Sequence, residues 1–131
     1  MSLRVLVVDD NSDHRFLTRR ALAGIPDVSV QLAVDGEDAL RRIGDAQPDL
    51  VLLDVKMPGM DGFEVLARLR SSGPARGLRV VLFSSSESPA DVARARELRA
   101  DGFVTKPIDA RGFAEVARAT VEAWAKRDAA P

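Results

Sequence analysis

Leu50-Val51-Leu52-Leu53-Asp54-Val55-Lys56-Met57-Pro58-Gly59-Met60-Asp61-Gly62 is the stretch that decides the fold. Four consecutive apolar residues end on a carboxylate, and a loop containing proline and glycine follows. A run this short and this apolar reads as a strand covered on both faces, the pattern of a parallel sheet flanked by helices. Two other apolar runs close in the same manner. Residues 3–8 lead into Asp9-Asp10, and residues 102–105 lead into Lys106-Pro107. Three acids and one ammonium at the carboxyl ends of buried strands can converge on one sheet edge, where open α/β folds place their ligands. A metal ion and a phosphoryl group suit that edge.

Outward from this stretch, apolar β-branched runs alternate with helical patterns five times. Strands are predicted over 3–8, 28–34, 50–53, 80–83 and 102–105. Helices are predicted over 12–23, 37–45, 62–71, 90–99 and 110–126, where apolar residues recur at three- and four-residue spacings. Strict alternation of strand and helix implies right-handed crossovers and helices on both faces of one parallel sheet. Local punctuation supports these boundaries. Ser88-Pro89-Ala90-Asp91 combines a capping hydroxyl, a proline at the first helical position and an acid at the third. Asp35-Gly36 reads as a tight turn, and Ser72-Gly73-Pro74 as a helix stop. One domain over 3–126 and a short tail over 127–131 are expected.

Composition removes several classes of function. The 131 residues suit a single domain and suffice for a core without staples. There is no cysteine, which excludes disulfides and thiolate metal sites and fits a reducing cytoplasm. No apolar run approaches the ~20 residues that span a bilayer, and no basic leader with a long apolar stretch opens the chain. Lys and Arg number 19 against 20 Asp and Glu, and the pI is about 5.8, so a nucleic-acid-binding face is not expected.

The stretch around Asp54, with Asp9-Asp10, Ser84 and Lys106-Pro107 at their spacings, resembles the receiver domain of two-component response regulators, of the chemotaxis-regulator type. The resemblance covers nearly the whole chain. It implies a flavodoxin-like, doubly wound α/β fold with five parallel strands in the order 2-1-3-4-5 and five helices on two faces. It also implies Asp54 as phosphoryl acceptor, Asp10 and Asp54 as direct Mg²⁺ ligands, the Lys56 carbonyl as a third ligand, and Asp9 acting through water. Lys106 would hold a phosphoryl oxygen, Ser84 would donate its hydroxyl to another, and Phe103 would change rotamer with phosphorylation. The Lys106–Pro107 peptide bond would be cis. A histidine kinase or histidine phosphotransfer protein would supply the phosphoryl group, which is later lost to water. The face of the fourth helix, fifth strand and fifth helix would then engage a downstream protein or a second copy of the chain.

The chemistry of the residues agrees with these roles. A carboxylate is a competent nucleophile for an acyl phosphate. Adjacent acids repel one another unless a cation lies between them, and Mg²⁺, a hard ion that keeps several waters, suits one or two carboxylates plus phosphate oxygens. A lysine is a point charge suited to a phosphoryl oxygen. Ser84-Ser85-Ser86 leaves a one-residue ambiguity in the hydroxyl; the resemblance favours Ser84, 22 residues before Lys106, where the family places a serine or threonine. His14, the single histidine, reads as a surface residue.

Other readings fit less well. Asp9-x-Asn11-x-Asp13 opens like a calcium-binding loop, but His14 stands where that loop needs glycine and Arg20 where it needs glutamate. A turnover phosphohydrolase with an aspartyl intermediate usually carries a second acid two residues after the nucleophile. Here that residue is Lys56, so the chain reads as no enzyme beyond its own phosphorylation and dephosphorylation. An interaction module that no longer accepts phosphate is disfavoured by the intact set of acids and lysine. Two positions depart from the family pattern: Arg99 replaces a glycine that commonly ends the fourth helix, and Ile108 replaces a frequent aromatic.

Overall fold

The computed structural model describes residues 2–86 and 88–129, with side chains as far as residue 126. Five strands, β1 (Leu3–Val8), β2 (Val28–Ala33), β3 (Leu50–Asp54), β4 (Arg79–Ser84) and β5 (Gly102–Thr105), form one sheet in the order β2-β1-β3-β4-β5. Every neighbouring pair is parallel. The parallel sheet with helices on both faces is the one the strand–helix alternation predicted, and its strand order is the one the resemblance implied. Between and after the strands lie α1 (Ser12–Ala23), α2 (Gly36–Asp45), α3 (Gly62–Ser71), α4 (Pro89–Glu97) and α5 (Ala110–Ala129).

Alternation along the strands builds two cores from one sheet. Val5, Val7, Leu50, Leu52, Val81 and Phe83 pack on one face with Leu22 of α1 and Phe113, Ala117 and Val121 of α5. Leu6, Val8, Val51, Leu53, Val80 and Leu82 pack on the other with Ile43 of α2, Phe63, Leu66 and Leu69 of α3, and Ala95 of α4. All five residues of β3 are buried, because this strand lies at the centre of the sheet and beneath both layers.

Caps set the helix starts. Asn11 accepts from the N–H groups of Asp13 and His14, Asp61 from that of Glu64, and Ser88 from that of Asp91 with Pro89 opening α4. Asp35-Gly36 is not a free turn. Asp35 caps α2 through the N–H of Asp38, and Gly36 is already helical, where a Cβ would stand 2.9 Å from Val65 Cγ2. The α2–α3 contact therefore selects the glycine.

Three further details differ from the sequence reading. The helix α4 ends at Glu97, and Arg99 takes a left-handed φ of 60°, which turns the chain into β5 without glycine. α5 runs three residues beyond 126, since no helix breaker follows until Pro131. No cis peptide bond occurs among the described residues, so Lys106–Pro107 is trans, the intrinsically favoured isomer.

One buried arginine ties the amino-terminal edge of the sheet together. Arg70, near the end of α3, donates from Nη1 to the carbonyls of Arg76 (3.0 Å) and Leu78 (2.6 Å), and from Nη2 to the Arg99 carbonyl (2.8 Å) and Asp101 Oδ2 (3.2 Å). Asp101 Oδ2 also accepts the N–H of Val80 at 2.7 Å. The guanidinium fork matches several carbonyls and a carboxylate at once, which a lysine could not do.

Candidate functional site

Register brings the site together. Val8 of β1 pairs with Leu53 of β3, so Asp9 and Asp54 follow at the same level; Asp54 pairs with Phe83 and Ser84 with Thr105, which places Lys106 one step beyond. The ammonium of Lys106 bridges the two buried acids, 2.8 Å from Asp54 Oδ2 and 2.9 Å from Asp9 Oδ2. Carboxylate oxygens of Asp9, Asp10 and Asp54 all lie within 4.8 Å of one another. Asp9 and Asp54 are buried, whereas Asp10 is exposed at the rim.

The loop after β3 is shaped by a close approach. Gly62 N–H donates to the Val55 carbonyl at 2.9 Å, and a Cβ on Gly62 would sit 2.4 Å from the Asp54 carbonyl oxygen. Only glycine lets α3 begin this near the Asp54 backbone. Lys56 is exposed in this loop.

Ser84, the last residue of β4, is buried, and Ser85 beside it is exposed. The hydroxyl of Ser84 accepts the N–H of Ser86 at 3.1 Å, and its carbonyl accepts the N–H of Lys106 at 2.7 Å. A hydroxyl that accepts one hydrogen bond still has its proton to give. Phe103 is half-buried and packs against the core on the α2–α4 side.

Burial pushes the Asp54 carboxyl up to about 6, with the charges of Asp9 and Asp10 adding to the rise and Lys106 opposing it. Burial acts on Lys106 in the opposite sense and would lower it. Its hydrogen bonds to Asp54 and Asp9, and their charges, outweigh that and hold it above the ordinary lysine value. The Lys106 ammonium thus lies between two buried carboxylates, with the exposed Asp10 carboxylate beside them. The donors are all hard oxygens, two from buried residues and one from an exposed residue, and they suit Mg²⁺ better than a soft ion.

Residues 5–118 match the family described as "Response regulator receiver domain". The chain belongs to this family. Receiver domains of two-component signalling are thus its relatives in sequence, and the comparison extends to whole regulators. The chain is 42% identical to the response regulator PleD of Caulobacter vibrioides over 110 residues, 83% of this chain and 24% of PleD. It is 36% identical to the response regulator MprA of Mycobacterium bovis over 130 residues, 99% of this chain and 55% of MprA. The receiver thus spans between a quarter and just over half the length of these relatives. Among solved structures, the phosphorylated cyanobacterial phytochrome response regulator RcpA superimposes with a TM-score of 0.86 at 26% identity, covering 95% of this chain and 94% of RcpA. Among the described residues of the receiver, no helix is long and apolar enough to cross a membrane.

His14 is not a surface residue of the receiver. It is 8% exposed, its Nδ1 lies 3.1 Å from Asp9 Oδ2, and its ring stacks on Phe113. Spacing could have shown this: His14, Thr18 and Leu22 recur every four residues and form the buried stripe of α1.

Proposed function

We propose that this receiver accepts a phosphoryl group on Asp54 from a phosphohistidine of a histidine kinase or phosphotransfer protein, and that the mark alters its contacts with a partner until hydrolysis removes it. The observation that carries this reading is the Lys106 ammonium held between Asp54 and Asp9 at 2.8 and 2.9 Å, beside the exposed carboxylate of Asp10.

The described hydrogen bonds of the Asp54 carboxylate engage Oδ2, which leaves Oδ1 for attack. An O–P bond forms at Asp54 as the N–P bond of the donor breaks, and the electron pair of that bond returns to the donor imidazole. Such transfer depends on positioning and electrostatic stabilisation more than on covalent help. Buried and fixed at the end of a central strand, Asp54 meets the positioning requirement. Lys106, already a donor to Asp54 Oδ2, turns to a phosphoryl oxygen with little movement. Asp10, Asp54, the Lys56 carbonyl and, through water, Asp9 would hold Mg²⁺, which supplies charge neutralisation between the carboxylates and the incoming phosphoryl oxygens. The buried Ser84 hydroxyl donates to a further oxygen, and Phe103 fills the space behind it. That pair carries the signal to the α4–β5–α5 face, which then binds its downstream target or a second copy. RcpA, with the same architecture, has been crystallised in a phosphorylated form, which supports the reading. The reading places the chain in the cytoplasm, where kinases draw on ATP.

Incubation with acetyl phosphate and Mg²⁺ tests the assignment. Intact-mass measurement should show one added phosphoryl group, absent with chelator and absent in Asp54→Asn. Equal labelling of the Asn variant would overturn it.

A further inference from the structure

His14 has no part in the chemistry proposed above, yet it is built into the site. It stands in the first turn of α1, where Asn11 Oδ1 accepts its backbone N–H at 3.1 Å. Its ring lies on Phe113 with centroids 5.2 Å apart and planes 26° from parallel, and Phe113 meets Phe83 edge-on at 5.3 Å and 84°. An imidazole clamped in this way cannot swing to another partner.

Its partner is fixed from the other sides as well. Asp9 Oδ1 accepts the N–H of Asn11 at 3.0 Å, and Asp9 Oδ2 takes both Lys106 Nζ at 2.9 Å and His14 Nδ1 at 3.1 Å. An ionised carboxylate only accepts, so the contact places a proton on Nδ1. Packing alone would not require this: a leucine would fill the space against Phe113. What imidazole adds is a donor to Asp9 Oδ2. Without it the carboxylate is held on that oxygen by the ammonium alone, and the ammonium is the group that must be free to move from Asp54 to an incoming phosphoryl oxygen. Outer residues that orient an acid in this way typically change metal affinity or activity by roughly 10–100-fold.

We infer that His14 is a positioning residue of the phosphoacceptor site, its Nδ1–H fixing the Asp9 carboxylate and through it the Lys106 ammonium. The inference rests on Asp54 being the acceptor. Two variants separate the donor from the packing: His14→Leu fills the space without a donor, and His14→Asn keeps an N–H near the position of Nδ1. Calorimetric Mg²⁺ affinity and the rate of labelling by acetyl phosphate at saturating Mg²⁺ should both fall about tenfold in His14→Leu and stay within about threefold of wild type in His14→Asn. Wild-type values in His14→Leu, or equal losses in both variants at wild-type melting temperature, would overturn the inference. Long-range ¹H–¹⁵N NMR of the wild-type ring gives a readout that needs no variant to fold: the proton should reside on Nδ1, and a bare Nδ1 would overturn it too. If the wild type takes no label on Asp54, the acceptor reading fails, while the calorimetry and the NMR still decide whether His14 orients Asp9.

Discussion

At the scale of single residues, Asp54 places a cost on the fold. Burial holds its carboxyl at about 6 in the folded protein against an ordinary 3.8, so between those values the folded state binds the proton more tightly than the unfolded chain does. Stability contributed by the neutral carboxyl is lost as pH rises through that window, and the loss is complete above about 6. At ~1.4 kcal/mol per pKa unit the ceiling is ~3 kcal/mol. In chelator, Asp54→Asn should therefore be more stable than wild type by about 1–3 kcal/mol at pH 7.5, and no more stable at pH 4. Denaturant melts at the two pH values check this; an equal gap at both would refute it. On the proposed reading the same balance bears on loading, since a protonated Asp54 would be neither nucleophile nor ligand. Asp54, Asp9 and Lys106 were legible because each ends an apolar run. His14 was not, because a single polar residue on an amphipathic helix signals burial only once the neighbouring stripe of Thr18 and Leu22 is weighed with it.

At the scale of elements, the β3–α3 junction is the most exacting. A methyl on Gly62 would meet backbone, at 2.4 Å from the Asp54 carbonyl oxygen and 2.8 Å from Val55 Cα, and backbone cannot rotate aside. Gly62→Ala should lose about 2–3 kcal/mol or more and, by shifting the end of β3, should slow phosphorylation of the folded fraction. Unchanged melting and labelling would show that the loop relaxes freely. Arg99 presents the opposite case. Its φ of 60° carries a strain of roughly 1–2 kcal/mol that glycine would relieve, against a larger unfolded-state entropy for glycine, so Arg99→Gly should gain about 0.5–1 kcal/mol. A loss of stability in that variant would mean that its side chain contributes more than its backbone costs. Strand and helix identities were legible throughout from apolar period and caps. What escaped was set by contacts between elements: Gly36 opens α2 where a side chain would meet Val65 of α3 and Met60, and α4 ends at Glu97 with Arg99 turning the chain toward β5.

At the scale of the whole molecule, the two cores lie on opposite faces of the sheet, and the carboxyl and amino edges of that sheet are built on different principles. At the carboxyl edge the Lys106 ammonium lies between Asp9 and Asp54 beside Asp10, and the loops there are rich in serine, glycine and proline. The amino edge is closed by Arg70, which holds the end of α3, the start of β4 and the corner between α4 and β5 by four hydrogen bonds. With its lower end pinned there, α4 is expected, on the proposed reading, to respond to modification of Asp54 by pivoting about that end, like a door on one hinge, with its free edge at residues 89–92. Amide exchange should therefore change on phosphorylation at Ser85, Ser86 and residues 90–92 and stay slow at Val80 and Asp101, and Arg70→Lys should let the change spread to residues 98–101. On the proposed reading, a hinge at the far end of the helix leaves the amino edge of the sheet still while Ser84 and Phe103 pass the state of Asp54 to the opposite edge, where a partner would read it.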